Sequence, residues 1–136
     1  MKLTRTGPLG VLLLILLVIG ALLYGKYSPR LMATEKALQI EFDAIQPLPG
    51  AILVEHYGGH KLNLAAVGSK YMTSQNFNEI RQFYDKEFER NGWQFVQENV
   101  YGGKATTVRY QKGDYTLSLM NDMRQTDWAY SIAISW

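Results

Sequence analysis

The chain has 136 residues, 47% hydrophobic and 12% aromatic, with fourteen basic and twelve acidic side chains and a formal net charge of +2. Lys and Arg are scattered through residues 61–124 beside acidic neighbours, which excludes the basic stripe of a nucleic-acid surface. The absence of cysteine excludes a lipid-modified N-terminus and any thiolate metal site.

From Thr6 to Gly25 no residue is charged, and Leu9 to Tyr24 is apolar almost throughout. Twenty helical residues reach about 30 Å, the thickness of a bilayer's hydrocarbon core. The expectation is an N-terminal tail and transmembrane anchor over residues 1–27. Leu9, Leu12, Leu16 and Gly20 then face lipid, while Tyr24 and Tyr27 sit at the interface with Lys26 and Arg30 reaching headgroups. The competing reading is a cleaved secretory signal, for which Lys2 and Arg5 supply the basic start. Gly20-Ala21-Leu22 and Leu23-Tyr24-Gly25 each lack a small residue at one recognition position, which favours retention. Lys2 and Arg5 on one side oppose Lys26, Arg30 and Lys36 on the other, so the positive-inside rule gives little orientation. The short basic tail favours a cytoplasmic N-terminus, with the C-terminal domain periplasmic or extracellular.

Ser28-Pro29 has the N-cap and first-turn chemistry of a second helix. Leu31, Leu38, Phe42 and Ile45 follow on one stripe, which predicts an amphipathic stalk within residues 28–46. Gln46-Pro47-Leu48-Pro49-Gly50 ends it, because residues before prolines leave helical geometry. About ninety residues remain, 47–136, enough for one core.

Within them, Ala51 to Tyr57 and His60 to Val67 read as strands, with Gly58-Gly59 as a two-residue hairpin turn and Lys70 to Thr73 continuing the pairing. Asn76-Phe77-Asn78-Glu79 is a capping-box pattern with Asn at the cap. Phe77, Ile80, Phe83, Tyr84 and Phe88 share one face of the helix it opens, and Asn91-Gly92 stops that helix at residue 90. Trp93 to Glu98, Thr106 to Lys112, Tyr115 to Met120 and Trp128 to Trp136 alternate an aromatic, apolar face with a small, polar one. Clean alternation and short turns specify an antiparallel sheet with one wet face. The expected architecture is α+β: a transmembrane helix, then a two-layer sandwich of an antiparallel sheet packed on one main helix.

Little in the chain is arranged for chemistry. His56 and His60 would face each other across the Gly58-Gly59 turn, yet a metal site needs three or four ligands and no third histidine exists. Asp85 and Glu89 share a helix face and form the minimal pair for glycoside cleavage, but that face is the polar one, where solvated ion pairs are the expected outcome. Asp122, Arg124 and Asp127 occupy a long polar loop of the kind that hosts function. No nucleophile elbow, phosphate-cradling glycine loop or zinc helix occurs. No catalytic, cofactor or metal residue is expected. The rings of Trp128 to Trp136 share the face assigned to the helix, so core packing outweighs a base-stacking platform; Trp136 is the exception, expected to project past the helix.

Tyr71-Met72-Thr73, Phe77 to Glu79, Phe83-Tyr84, Phe88, Gly92-Trp93, Tyr110 to Gly113 and Tyr115 to Leu119, preceded by Pro47 to Ala51, resemble a recurrent small bacterial domain. It is similar to envelope proteins and lipoproteins in which a helix bearing a Phe-Tyr pair ends in Gly-Trp and leads into a sheet. The resemblance covers residues 47–136, implies an α+β fold, and brings no catalytic residue with it. The functional expectation is a non-catalytic, single-pass interaction module, an accessory subunit of a larger membrane complex such as those of respiration or photosynthesis. Its partner contacts would be Leu31, Leu38, Phe42, Arg109, Arg124 and Trp136, with the lipid bilayer and no nucleic acid as further partner. The alternative is a free envelope protein binding a small ligand, lipid or polysaccharide through its sheet face or loop 121–127.

Overall fold

The computed structural model describes residues 8–26, 28–61 and 63–136. Three helices, α1 (Pro8–Lys26), α2 (Pro29–Asp43) and α3 (Phe77–Arg90), accompany six strands. The strands are β1 (Ile52–Lys61), β2 (Leu64–Met72), β3 (Gln94–Tyr101), β4 (Ala105–Lys112), β5 (Tyr115–Asp122) and β6 (Tyr130–Ser135). They form one sheet in the order β1-β2-β6-β5-β4-β3, and every neighbouring pair is antiparallel. The last strand is thus inserted at the centre, between β2 and β5, and β1 and β3 are left as the two edges.

Among the described residues, no helix is long and apolar enough to cross a membrane. The expected spanning anchor is corrected accordingly, and with it the single-pass topology and the periplasmic or extracellular placement that depended on it. Over the described residues α1 runs from Pro8 and takes in the charged Lys26, so its uncharged part is about 27 Å long, shorter than the twenty-residue stretch from Thr6 to Gly25 on which the expectation rested. Tyr27, expected at the interface, and Lys2 and Arg5, expected to orient the chain, lie outside the described residues. Leu9 and Tyr24 lie within the α1 backbone, with side chains outside the described set.

The helical layer also differs from expectation, because two helices share it. Six strands spaced about 4.8 Å apart make a sheet about 24 Å wide, whereas one helix covers about 10 Å. Helix α3 therefore covers the side of the sheet around β4, and α2 covers β1 and β2. Leu31, Leu38 and Phe42 of α2 are buried, and Leu38 and Phe42 join Ile80, Tyr84, Phe88, Val67, Leu117 and Ile134 in one core. The segment read as a stalk is a structural half of the layer. Its Ser28 occupies the N-cap position without a side-chain cap bond, and Pro29 supplies the first turn.

Helix α3 begins and ends where its local chemistry specifies. The Asn76 side chain accepts from the Glu79 N–H at 3.1 Å, and the Glu79 carboxylate accepts from the Asn76 N–H at 2.9 Å. Gly92, at φ 82°, takes the left-handed conformation beyond the last turn.

The linker between α2 and β1 is fastened to α3 by two buried polar groups. The Leu48 N–H donates to the Tyr84 hydroxyl at 3.0 Å, and that hydroxyl meets the Tyr130 hydroxyl at 2.9 Å. Burial pushes the Tyr84 hydroxyl up to about 12 and raises Tyr130 as well. Glu87, 8% exposed, accepts from the Gln46 N–H at 2.7 Å, from Arg90 at 2.7 and 3.1 Å and from the Asn91 amide at 3.1 Å. Burial opposes ionisation of Glu87, but these donors outweigh it and hold the carboxyl below its ordinary value of 4.5. A carboxylate with a depressed folded pKa contributes stability above its unfolded value, and that contribution is lost as pH falls through the folded one. Glu87→Gln should therefore lower stability by about 2 kcal/mol at pH 7. The gap from wild type should shrink as pH falls below the ordinary carboxylate value of 4.5, read by urea titrations at each pH.

Candidate interaction surfaces

The two histidines are placed differently from their sequence reading. Gly58 and Gly59 do not turn the chain; β1 runs through them and pairs with β2 as far as Lys61 opposite Leu64. Neither glycine has a positive φ, so both serve as extended strand residues, and the turn falls after Lys61. His56 and His60 consequently stand four residues apart on one strand, under α2, and not face to face across a hairpin.

Each histidine is engaged by α2. The His56 Nδ1 lies 2.8 Å from the Ser69 hydroxyl and its Nε2 lies 3.3 Å from Gln39 Oε1. Gln39 donates its own amide N–H to Asp43 at 2.7 Å, which leaves its oxygen to accept from His56 Nε2–H and leaves Nδ1 to accept from Ser69. A serine beside a histidine is the arrangement the sequence did not disclose, because the pairing runs between strands. Ser69 is only 1% exposed, and the third member is an amide, so the chain orders the α2 contact and presents no accessible nucleophile. His60 Nδ1 lies 2.5 Å from the Glu35 carboxylate. Among the described residues, no group of three or more His, Cys, Asp or Glu is placed to hold a metal ion.

A cleft of about 440 Å³ lies beside α3 and is lined by Arg81, Asp85, Glu89, Trp93, Gln94, Phe95 and Tyr110. It contains both carboxylates considered for acid-base work. The Tyr110 hydroxyl donates to Asp85, Arg81 lies 3.5 Å from the same carboxylate, and Arg81 also pairs with Glu98 of β3. Burial, reinforced by Asp85, raises Tyr110 above the ordinary tyrosine range. A tyrosine held neutral beside an engaged aspartate offers a hydrogen-bonded brace between α3 and β4.

The expected partner contacts divide into three sets. Leu31, Leu38 and Phe42 are committed to the chain's own core. Trp136 is held beneath the first turn of α2, with the Arg30 guanidinium 5.1 Å from its ring and its backbone N–H donating to Ala65 at 3.0 Å. It does not project past the helical layer, because α2 extends that layer beyond α3. Arg124 folds back on Asp122 through side-chain bonds of 2.7 and 2.8 Å and a backbone bond of 3.0 Å. That guanidinium and backbone N–H hold the Asp122 carboxyl at about 2, so the charges of loop 121–127 are largely spent within it. Arg109 remains outward on the open face, exposed beside Gln97, Gln111 and Thr116.

The open face is smooth where β2 and β6 cross it. A Cβ on Gly68 would stand 2.5 Å from the Tyr57 hydroxyl and 2.9 Å from the Ile132 carbonyl, so only glycine lets the Tyr57 ring lie flat across β2. Helix α1 presents the largest apolar surface. Leu12, Leu16 and Leu17 are 59%, 60% and 66% exposed, Val11 through Ile19 are exposed on every side, and nothing lies within 4 Å of a Cβ at Gly20.

Residues 64–121 match the model of a family described as START domain-like. The match takes in β2, α3, β3, β4 and all but the end of β5, and is less than half of the chain. It is similar there to a small α+β domain of this kind. No curated protein and no solved structure matches the chain.

Proposed function

We propose that this chain is a non-catalytic interaction module, an accessory subunit that braces a larger protein assembly through α1. The observation that carries the proposal is the exposure of α1 on all sides. A helix that is apolar all round is covered in its working state, and the folded remainder of this chain does not cover it. The partner is a protein surface with an apolar groove able to take one helix. The domain of residues 28–136 supplies a rigid head beside that groove, and Glu35 with His60, Glu41 with Lys112, Asp85 with Tyr110 and Glu87 with the Gln46 N–H hold α2, α3 and the sheet together. The likeness to small bacterial envelope domains whose Phe-Tyr helix runs into Gly-Trp supports the same role, since that group lends no catalytic residue.

Gentle extraction of the full chain from its native source, followed by sizing, should give one defined large complex. A lone 15.5 kDa chain overturns the proposal. Leu12→Asn with Leu16→Asn, both far from the core, should release the chain from that complex while leaving the head folded.

A further inference from the structure

Strand β3 is an open edge, and its unpaired backbone groups can template another strand. It contains no proline and no lysine or arginine, and seven of its eight residues are exposed. Phe95 and Val100 are 56% and 60% exposed, although both lie on the helix-covered side of the sheet. Opposite β4, Phe95 pairs with Tyr110, Glu98 with Val108 and Val100 with Thr106, and a bulge interrupts the ladder between Phe95 and Gln97. At a bulge two residues occupy one position, so Val96 and Gln97 together count once.

Counted in this way, β3 is symmetric about Glu98. Phe95 stands two positions before it and Val100 two positions after it, all three on the same side. Val96/Gln97 and Asn99 stand one position away on the other side. We propose that β3 is a homodimer interface, at which a second copy of this chain pairs antiparallel with β3 about a two-fold axis through Glu98. The occupant is a copy, because in this register the strand complements itself: each Phe95 falls opposite a Val100 of the other copy, and the contact is made twice. Aromatic and β-branched side chains directly opposite one another stabilise a strand pair. The axis brings two Glu98 carboxylates together, and each already carries its own Arg81, so the four groups at the centre are neutral in sum. This surface is separate from α1, and the pairing does not depend on the partner proposed there.

The chain has no cysteine, which makes a crosslinking test direct in the full chain. Gln97→Cys, which keeps the Glu98–Arg81 pairs, should on treatment with a short bis-maleimide yield a dimer band at least about tenfold stronger than Tyr101→Cys, whose two copies would stand about 20 Å apart. Equal bands, or none, overturn the proposal. Register is tested by charge. On an otherwise natural background carrying Gln97→Cys, Phe95→Lys or Val100→Glu alone should abolish the band, whereas the two together should restore it by setting Lys opposite Glu. A band that survives either single change, or a double variant that stays monomeric, sinks this register and with it the self-pairing. Circular dichroism of each variant confirms that the strand-rich fold is intact, because these positions are exposed. On sizing, only a species well beyond the roughly 31 kDa of two chains reports the α1 partner, whereas the crosslink reports β3, so the two proposals fail separately.

Discussion

Tyr84→Ala should destabilise the domain by about 4 kcal/mol, the scale of removing a large aromatic side chain from a closed core. Tyr84 is fully buried and its ring packs against Phe83, Phe88 and Tyr130, with centroids 5.0 to 5.5 Å away. The hydroxyl adds a separate contribution, which Tyr84→Phe isolates. That change removes the acceptor at 3.0 Å from the Leu48 N–H and leaves that N–H and the Tyr130 hydroxyl only each other, at a cost of about 1 kcal/mol for the lost buried hydrogen bonds. Chemical denaturation monitored by tryptophan fluorescence gives both values. A Phe variant as stable as the natural protein would mean that the α2–β1 linker is not fastened through this hydroxyl.

Leu38→Ala should cost about 3 kcal/mol, within the usual range for emptying a buried leucine site. Leu38 is completely buried in the same core as Tyr84 and Phe88, in a segment whose sequence reads as an amphipathic stalk. The consequence is cooperative: the variant should lower the unfolding midpoint of the whole head, seen equally by far-UV dichroism and by fluorescence of Trp93. Were α2 an independent stalk, the sheet would keep its stability and only helical signal would fall. Two transitions in the natural protein would likewise separate α2 from the core.

Helix α3 was readable because its limits are local. Asn76, Glu79 and Gly92 act within a turn of the backbone groups they satisfy, and the Ile80, Tyr84 and Phe88 stripe follows from helical period alone. The sheet was readable strand by strand from alternation at period two, and the Gly102-Gly103 and Gly113 turns take the positive φ their positions require. Gly58-Gly59 misled for a local reason: the pair carries the same hairpin signal as Gly102-Gly103, yet β1 continues through it. A turn signal weighs little when a strand finds a partner for its full length, and here β2 pairs with β1 on both sides of those glycines.

The expected surface residues failed or held according to what lay above them. Arg109 faces outward as alternation requires. Leu31, Leu38 and Phe42 read as an unclaimed stripe because a sequence shows that a helix has an apolar face without showing what covers it. The sheet's width, and so the need for a second covering helix, depends on six strands joining one sheet, which no single strand discloses. The bulge that makes β3 symmetric about Glu98 is also a property of pairing with β4.

Residue order by itself determined the apolar character of α1, the identity and limits of α3, and which side of each C-terminal strand is greasy, since these depend on interactions within a few residues. Tertiary structure alone decided the central place of β6, the burial of α2 and the engagement of both histidines by that helix. Those outcomes follow from contacts between segments far apart in the chain, where the free energy of closing the core selects among arrangements that local preference leaves equal.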